Sequence, residues 1–324
     1  MTEPKPDGKK GLKVPKWIDK VLLVIGLGLV GYVVSRFSFT EIVSTISGMF
    51  PAVLLTPLIA LGWFCTATTA LYTLLERQVP WWKMLWIRLV GDSYNALLPM
   101  AGFGGEPFKL RQLSYYLSPA VLMSTFIRDR ILDNVIGFTW SALGCMVGVL
   151  AFSLDDRMQV LLVGYSIVCA LIGVLGTALV LTRVPGKLGG FLAKFLGDVT
   201  PEQIEPLPAA RVAVILFWYT CSRALGLLEK VVLLWILGAP HDLASALFVD
   251  GFLSAAGYIG FFIPQGLGVF EGATVYAVGV LGAPGPVAIA FAFARRGRMV
   301  VVGLFGISLH VAALARNWLR RQRA

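Results

Sequence analysis

Long apolar segments separated by short polar stretches recur along most of this chain, and they restrict what it can fold into. About 18 or more apolar residues suffice for a helix to cross a bilayer. Charged residues make up only 14% of the sequence, whereas soluble domains contain about a quarter. The clear candidate spans are residues 21–34, 52–75, 135–152, 160–181, 212–237 and 300–315. We therefore predict an all-α, polytopic membrane protein with about six full spans, the first of which needs its flanking residues to complete the crossing.

The distribution of basic residues predicts the topology, because lysine and arginine gather on the cytoplasmic side of membrane proteins. With the basic tail of residues 1–19 inside, the loop 183–211 and the basic tail 319–324 are also inside. The outer loops then carry almost only Arg36 and Arg157. We predict a membrane domain over residues 20–318 in the bacterial cytoplasmic (inner) membrane, with both termini cytoplasmic. An apolar face within 183–211 indicates an in-plane interfacial helix; a short soluble helix is the alternative.

The net charge of +10 is compatible with two kinds of partner, nucleic acid and anionic lipid. Because the basic residues flank apolar helices, we favour lipid headgroups. The four cysteines lie singly in apolar runs and the two histidines are far apart, so we expect no metal and no cofactor. A phosphate-binding loop motif is also lacking, so we do not expect ATP hydrolysis.

Two segments, residues 83–117 and 243–281, do not have the pattern of simple spans. Each is apolar, is interrupted by proline and several glycines, and then becomes apolar or amphipathic again. Backbone groups freed by such a break must be buried in protein or line a wet cavity. We predict two broken helical hairpins, each entering and leaving the membrane on one side. The glycines Gly104, Gly105, Gly266 and Gly268 are predicted to permit close approach that a Cβ would block.

The two broken segments match each other at an offset of 165 residues. Pro99 then falls on Pro264, Glu106 on Glu271, and Arg130 on Arg295. The flanking spans align as well, which defines repeat units over about residues 50–152 and 212–317. A single crossing between the units predicts an inverted repeat, an arrangement typical of transporters. Chance similarity between two breaks rich in proline and glycine is the alternative.

Glu106 and Glu271 each follow a proline by seven residues, at predicted helix starts. A helix start offers free amides and the positive end of a dipole, which can hold a phosphate. Lys109 and Arg111 follow within about one turn of Glu106. The glutamates either stabilise the fold, by capping or by pairing with arginine, or act directly on a substrate or proton.

A charged cluster, residues 128–133, opens the third main span. It contains Arg128, Asp129, Arg130 and Asp133. The cluster either marks the cytoplasmic end of that span or is buried beneath the first hairpin.

Arg223, Glu229 and Lys230 lie inside the span 212–237. Charges at such depth are costly and usually face a bundle interior. Arg223 and Lys230 are expected to share one face, with Glu229 pointing elsewhere. Glu229 therefore needs a partner from another helix, for which Arg295 and Arg130 are the candidates.

These motifs together resemble a known family. The matching features are the stretch Asn-Ala-Leu-Leu-Pro at 95–99, the Gly-Gly-Glu at 104–106, the arginine-bearing segment 128–133, and the stretch 264–272. The combination resembles the lysylphosphatidylglycerol synthase transmembrane region, also called the flippase-like domain family, over about residues 20–318. In a bacterial member, such a domain is thought to translocate aminoacylated phosphatidylglycerol, while a separate soluble domain attaches the amino acid. This sequence has no room for that soluble domain, so the resemblance implies no synthase activity.

The resemblance and the motifs together favour lipid translocation as the function. The lipid would be a phospholipid, a glycolipid or a hopanoid-type lipid with a polar headgroup. A membrane-embedded lipid-modifying transferase and a non-catalytic scaffold of a lipid-synthesis complex are the alternatives. Partnership with lipid-synthesis enzymes and formation of a homo-oligomer both stay open. The predicted substrate-binding residues are Asn95, Gly104, Gly105, Glu106, Lys109, Arg111, Arg128, Arg130, Arg223, Glu229, Gln265, Gly266, Gly268, Glu271 and Arg295.

Overall fold

The computed structural model describes residues 50–97, 104–185, 187–188, 206–260 and 269–322, and these residues are predominantly helical. The predicted span 21–34, most of the interfacial helix and the positions Gln265, Gly266 and Gly268 lie outside the described residues. The helices are α1 Phe50–Leu74, α2 Trp81–Leu97, α3 Glu106–Leu113, α4 Pro119–Ala151, α5 Asp156–Val180, α6 Ala209–Ile236, α7 Leu243–Ile259, α8 Val269–Val280 and α9 Gly285–Gln322.

Five of the described helices are long and apolar enough to cross a membrane. These spans are Leu55–Leu74, Pro119–Ala151, Asp156–Val180, Ala209–Ile236 and Val287–Arg316. The shorter helices α7 and α8 are apolar as well. The chain is therefore an all-α, multi-pass membrane protein, as the apolar runs predicted.

Local sequence explains where several of these helices begin and end. Pro107 and Pro119 stand in the first turns of α3 and α4, where a missing amide costs nothing. Gly238 ends α6 with a φ of 68°, a backbone conformation that glycine adopts without strain. Asp242 caps α7 by accepting a hydrogen bond from the Ser245 amide. Hydrogen bonds from the side chain and amide of Ser245 also lower the pKa of Asp242, which lies outside the spans.

Two spans are much longer than predicted. The run 135–152 is the second half of the 33-residue helix α4, and the run 300–315 belongs to the 38-residue helix α9. Both helices begin before a charged stretch, which contains Arg130 in α4 and Arg295 in α9. An apolar window stops at such charges, whereas the helix continues because the side chains are accommodated within the protein.

The described units share one order of elements, namely a long helix, two short helices and a long helix. We call α2 with α3 the first hairpin and α7 with α8 the second, from their order along the chain. Helix α2 packs against α9, and helix α7 packs against α4. The opening helices α1 and α6 pack against each other. The first helix of each hairpin therefore packs mainly on the closing helix of the opposite unit, whereas α8 packs on α9 of its own unit.

Both of these crossings bring backbones into contact. A Cβ on Gly306 in α9 would lie 2.8 Å from the carbonyl oxygen of Leu89 in α2. A Cβ on Gly251 in α7 would lie 2.6 Å from the Cα of Gly144 in α4. A serine hydroxyl strengthens the second crossing, since Ser141 Oγ donates to the Gly251 carbonyl at 2.8 Å. Small residues allow such close approach between membrane helices.

Candidate functional site

A charged cavity of about 320 Å³ lies between the two units. Its walls come from α1, α2, α3 and α4 on one side and from α6, α7 and α9 on the other. Its basic residues are Arg88, Lys109, Arg130, Arg223, Lys230, Arg295 and Arg298. Its acidic residues are Asp92, Glu106, Asp129, Asp133, Glu229 and Asp250. Ionisable side chains inside a membrane domain are costly and commonly mark a substrate or ion pathway.

Glu106 is the centre of the charge cluster at the first hairpin. It begins α3 and is only 5% exposed. Arg130 of α4 donates to its Oε1 atom, and Lys109 Nζ lies 3.2 Å from the same atom. Its Oε2 atom is buried and has no hydrogen-bond partner among the described residues. The predicted pairing of Glu106 with an arginine is therefore present, and one carboxylate oxygen is left without a donor.

Asn95 holds the start of α3 from the opposite leg of the hairpin. Its Oδ1 atom accepts a hydrogen bond from the Gly105 amide at 2.6 Å, and its Nδ2 atom donates to Glu106 at 3.1 Å. The side chain thus bonds to both the backbone and the carboxylate at this helix start. Asn95 does not line the cavity, but it positions Glu106, which does.

The two legs of the first hairpin touch at a pair of glycines. A Cβ on Gly105 would overlap the carbonyl group of Gly91 in α2. A Cβ on Gly91 would lie 2.5 Å from Cε of Lys109. The close approach predicted at Gly105 is therefore confirmed, and Gly104 beside it is buried. Gly91 was not predicted, because a glycine inside a helix has no distinctive sequence pattern.

Lys109 connects the hairpin to Asp92 and Arg88, which were not predicted as site residues. It donates to Asp92 of α2, and Arg88 Nε lies 3.6 Å from the other oxygen of Asp92. Arg88 also donates from Nη1 to the Ala67 carbonyl of α1 at 2.9 Å. Arg88 and Asp92 are four residues apart, so they share one face of α2. That spacing within a largely apolar helix was the available signal.

The second hairpin carries its own ion pair, which is more exposed. Glu271 of α8 accepts from Arg296 Nε at 2.8 Å, and 40% of its side chain is exposed. Arg295, which the repeat aligns with Arg130, instead lies over the ring of Phe270 with 4.1 Å between Cζ and the centroid. The two glutamates therefore both pair with an arginine, but the pairs are not equivalent in position or burial.

Glu229 is almost fully buried, at 2% exposure, and its partner was predicted wrongly. It pairs with Arg298 Nε at 2.7 Å, and not with Arg295 or Arg130. Arg298 lies almost one turn beyond Arg295 on α9, and a sequence match cannot specify the rotation of a helix to that accuracy. Glu229 finds its partner on another helix, as expected, and it also lines the cavity together with Lys230.

Lys230 forms the second ion pair in this part of the cavity. Its Nζ atom lies 3.1 Å from Asp250 of α7. Asp250 also accepts a hydrogen bond from Trp140 Nε1 of α4 at 2.9 Å. Asp250 and Arg298 were not predicted as site residues. Each is a charged residue within an apolar or spanning helix, and this feature could have identified them.

Two side-chain hydrogen bonds, one helical turn apart, join α4 to α6. Tyr219 Oη donates to Asp129, and Arg223 Nη2 donates to Asp133 at 2.9 Å. The charged cluster 128–133 therefore lies between helices: Asp129 and Asp133 face α6, and only Arg130 reaches Glu106 of the first hairpin. Arg128 is buried at 6% exposure.

The cavity gathers part of the predicted site. Of the predicted residues, Glu106, Lys109, Arg130, Arg223, Glu229 and Arg295 line it. The other predicted residues in the described part of the chain are not among the lining residues, namely Asn95, Gly104, Gly105, Arg111, Arg128 and Glu271. Over the same residues, no group of three or more His, Cys, Asp or Glu side chains is arranged to hold a metal ion.

Comparison with known proteins gives one match. The family model for the lysylphosphatidylglycerol synthase TM region matches residues 17–306. No curated protein and no solved structure matches the chain.

Proposed function

Because the chain belongs to the lysylphosphatidylglycerol synthase TM region family, we propose that it moves a polar-headed membrane lipid from one leaflet to the other. The lipid is a phospholipid, a glycolipid or a hopanoid-type lipid. The protein works in the bacterial cytoplasmic membrane with both termini in the cytoplasm.

One observation carries this proposal. Among the described residues, thirteen ionisable side chains line one cavity at the junction of the two hairpin units, and five described helices are long and apolar enough to span a membrane. Burying charge in a membrane protein costs several kcal/mol per group unless partners compensate it. Stability alone does not require such a cavity, because apolar packing in the same place would stabilise the fold. The charges therefore suit a polar headgroup that has to cross an apolar layer.

The headgroup would occupy the cavity while the acyl chains stay in the bilayer. Guanidinium groups bind phosphate in bidentate fashion, and Arg295 is well placed for that role. It lines the cavity, stacks on Phe270, and forms no ion pair within 4 Å to a described residue. A phosphate bound there would gain a charge-assisted interaction without breaking an ion pair.

Alternating access would arise from the two units. In the inverted repeat proposed here, each hairpin opens the cavity towards a different leaflet. The packing supports this arrangement, because α2 of the first unit lies on α9 of the second, and α7 of the second unit lies on α4 of the first. Rocking one unit against the other would then change both contacts together.

A reconstituted leaflet assay tests the proposal. Purified protein in liposomes should accelerate leaflet exchange of a fluorescent phosphatidylglycerol, a glycolipid or a hopanoid-type lipid, with one class preferred. Arg295→Gln should reduce exchange at least about tenfold, whereas Arg157→Gln, at an exposed position at the start of α5, should not. Chemical conversion of the lipid without movement would instead select the transferase. Normal exchange by the Arg295 variant would remove this residue from the mechanism.

A further inference from the structure

The cavity carboxylates differ in one respect that bears on how transport is driven. Five of the six have a basic nitrogen within 3.2 Å, from Lys109, Arg130, Arg223, Arg298 or Lys230. Asp129 is the sixth, and no ion pair within 4 Å joins it to a described basic side chain. Its hydrogen-bond partner is the hydroxyl of Tyr219.

A hydroxyl compensates a buried carboxylate less well than a cation does, because it contributes one neutral donor and no charge. The same hydroxyl suits both states of the acid. It donates to the carboxylate when Asp129 is ionised, and its oxygen can accept from the carboxyl proton when Asp129 is neutral. Tyr219 is 1% exposed, so this partner is fixed in place.

The groups around Asp129 are committed to other partners. The charged side chains that act electrostatically on Asp129 are Arg88 on α2 together with Arg130 and Asp133 on α4. Lys109 and Glu106 of α3 and Arg223 of α6 also line the cavity. Arg88 bonds to the Ala67 carbonyl and pairs with Asp92, and Arg130 pairs with Glu106. From α1 the lining contributes apolar side chains only.

We infer that Asp129 is a proton-binding site that couples translocation of the lipid to movement of a proton. The inference rests on the proposed function. The carboxylate takes its proton from water in the cavity and returns it to water when the cavity faces the other side, so one proton crosses in each coupled cycle.

The charge of the cavity sets the direction of coupling. With every group ionised, the described part of the lining carries seven basic and six acidic side chains. Protonation of Asp129 leaves five acidic charges, so an anionic headgroup binds the protonated cavity more tightly. By linkage, the bound headgroup favours protonation to the same degree. An anionic lipid and the proton therefore move in the same direction.

The experiment uses liposomes of phosphatidylcholine with a trace of fluorescent phosphatidylglycerol and a pH-sensitive dye inside. An imposed proton gradient should drive the fluorescent lipid to the side to which protons flow, with matching acidification. Asp129→Asn mimics the protonated acid. It should still bind phosphatidylglycerol, but it should lose gradient-driven transport and the pH dependence of binding. Asp156→Asn, an exposed position in the first turn of α5, serves as the matched control and should behave as wild type.

Tyr219→Phe provides a second measurement. Loss of the donor destabilises the ionised acid, so the midpoint of the binding profile should move to higher pH while its amplitude remains. In the wild type, protonation should strengthen binding by a factor within the range of about 5 to 150 that is usual for coupled sites. Lipid exchange without proton movement, or an Asp129→Asn variant with the wild-type pH profile, would overturn the proton site and leave lipid translocation standing. Absence of any lipid exchange by the wild type would overturn both.

Discussion

Arg298 of α9 and Glu229 of α6 form an ion pair inside the membrane domain, with 2.7 Å between Nε and Oε1. The side chains are 15% and 2% exposed. The pair joins the first and last helices of the second unit at the cavity wall. Lys230 lies farther from Glu229, at 3.9 Å, and can replace only part of the interaction.

Removing one partner of this pair should destabilise the protein more than removing both. Arg298→Gln leaves a buried carboxylate without its main partner, a change that typically costs about 3–5 kcal/mol. The double variant Glu229→Gln with Arg298→Gln leaves no such charge and should recover much of the loss. Thermal unfolding in detergent measures this, with Arg157→Gln as the surface control. Additive losses in the double variant would show that the two residues are not coupled.

The two hairpin glutamates should both be needed for transport but should differ in their effect on stability. Glu106→Gln removes the charge that compensates Arg130 and Lys109 in a buried setting, so both expression and transport should fall. Glu271→Gln affects a pair that is 40% exposed on the glutamate side, so transport should fall at near-normal stability. A leaflet assay with a matched unfolding curve separates these effects. If both variants transport normally, the carboxylate charges play no part in the mechanism.

Gly105→Val should abolish transport by forcing the hairpin legs apart. The added side chain would overlap the Gly91 carbonyl, and the start of α3 would move away from Asn95. The control is Gly164→Val in α5, where an added Cβ meets open space. Both proteins should be recovered from the membrane, and only the first should fail in the leaflet assay. Wild-type transport by Gly105→Val would mean that the close approach is dispensable.

Single-cysteine labelling in intact cells tests the topology. After replacement of the four native cysteines, a cysteine at position 157 should react with an impermeant reagent from outside. A cysteine at position 194 should react only after the membrane is opened. Labelling of both positions from outside would mean that α5 does not cross the membrane, and the proposed inverted repeat would have to be abandoned.

The features that were predictable are those set by local sequence. Apolar runs indicated the spans, and the Gly-Gly-Glu-Pro stretch indicated a helix start at Glu106, which is where α3 begins. The partner of Glu229 depended on the rotation of α9 against α6, which no local pattern determines. The early start of α4 at Pro119 was also missed, because the charged cluster looked like a helix end. Three of its residues contact partners at least 24 positions away: Arg130 pairs with Glu106, Asp129 accepts from Tyr219, and Asp133 pairs with Arg223.

The packing of α2 on α9 of the opposite unit has a consequence for how the protein is made. Ser93 of α2 donates to the Val302 carbonyl of α9, a contact that spans 209 positions of the chain. During synthesis, the first hairpin enters the membrane long before the helix that will cover it has left the ribosome. Until α9 is made, the charged face with Asp92 and Lys109 therefore contacts lipid, the translocon or a chaperone. Helix α9 covers the first hairpin only after both units have been synthesised. A truncation before α9 should therefore leave the first hairpin open to membrane proteases.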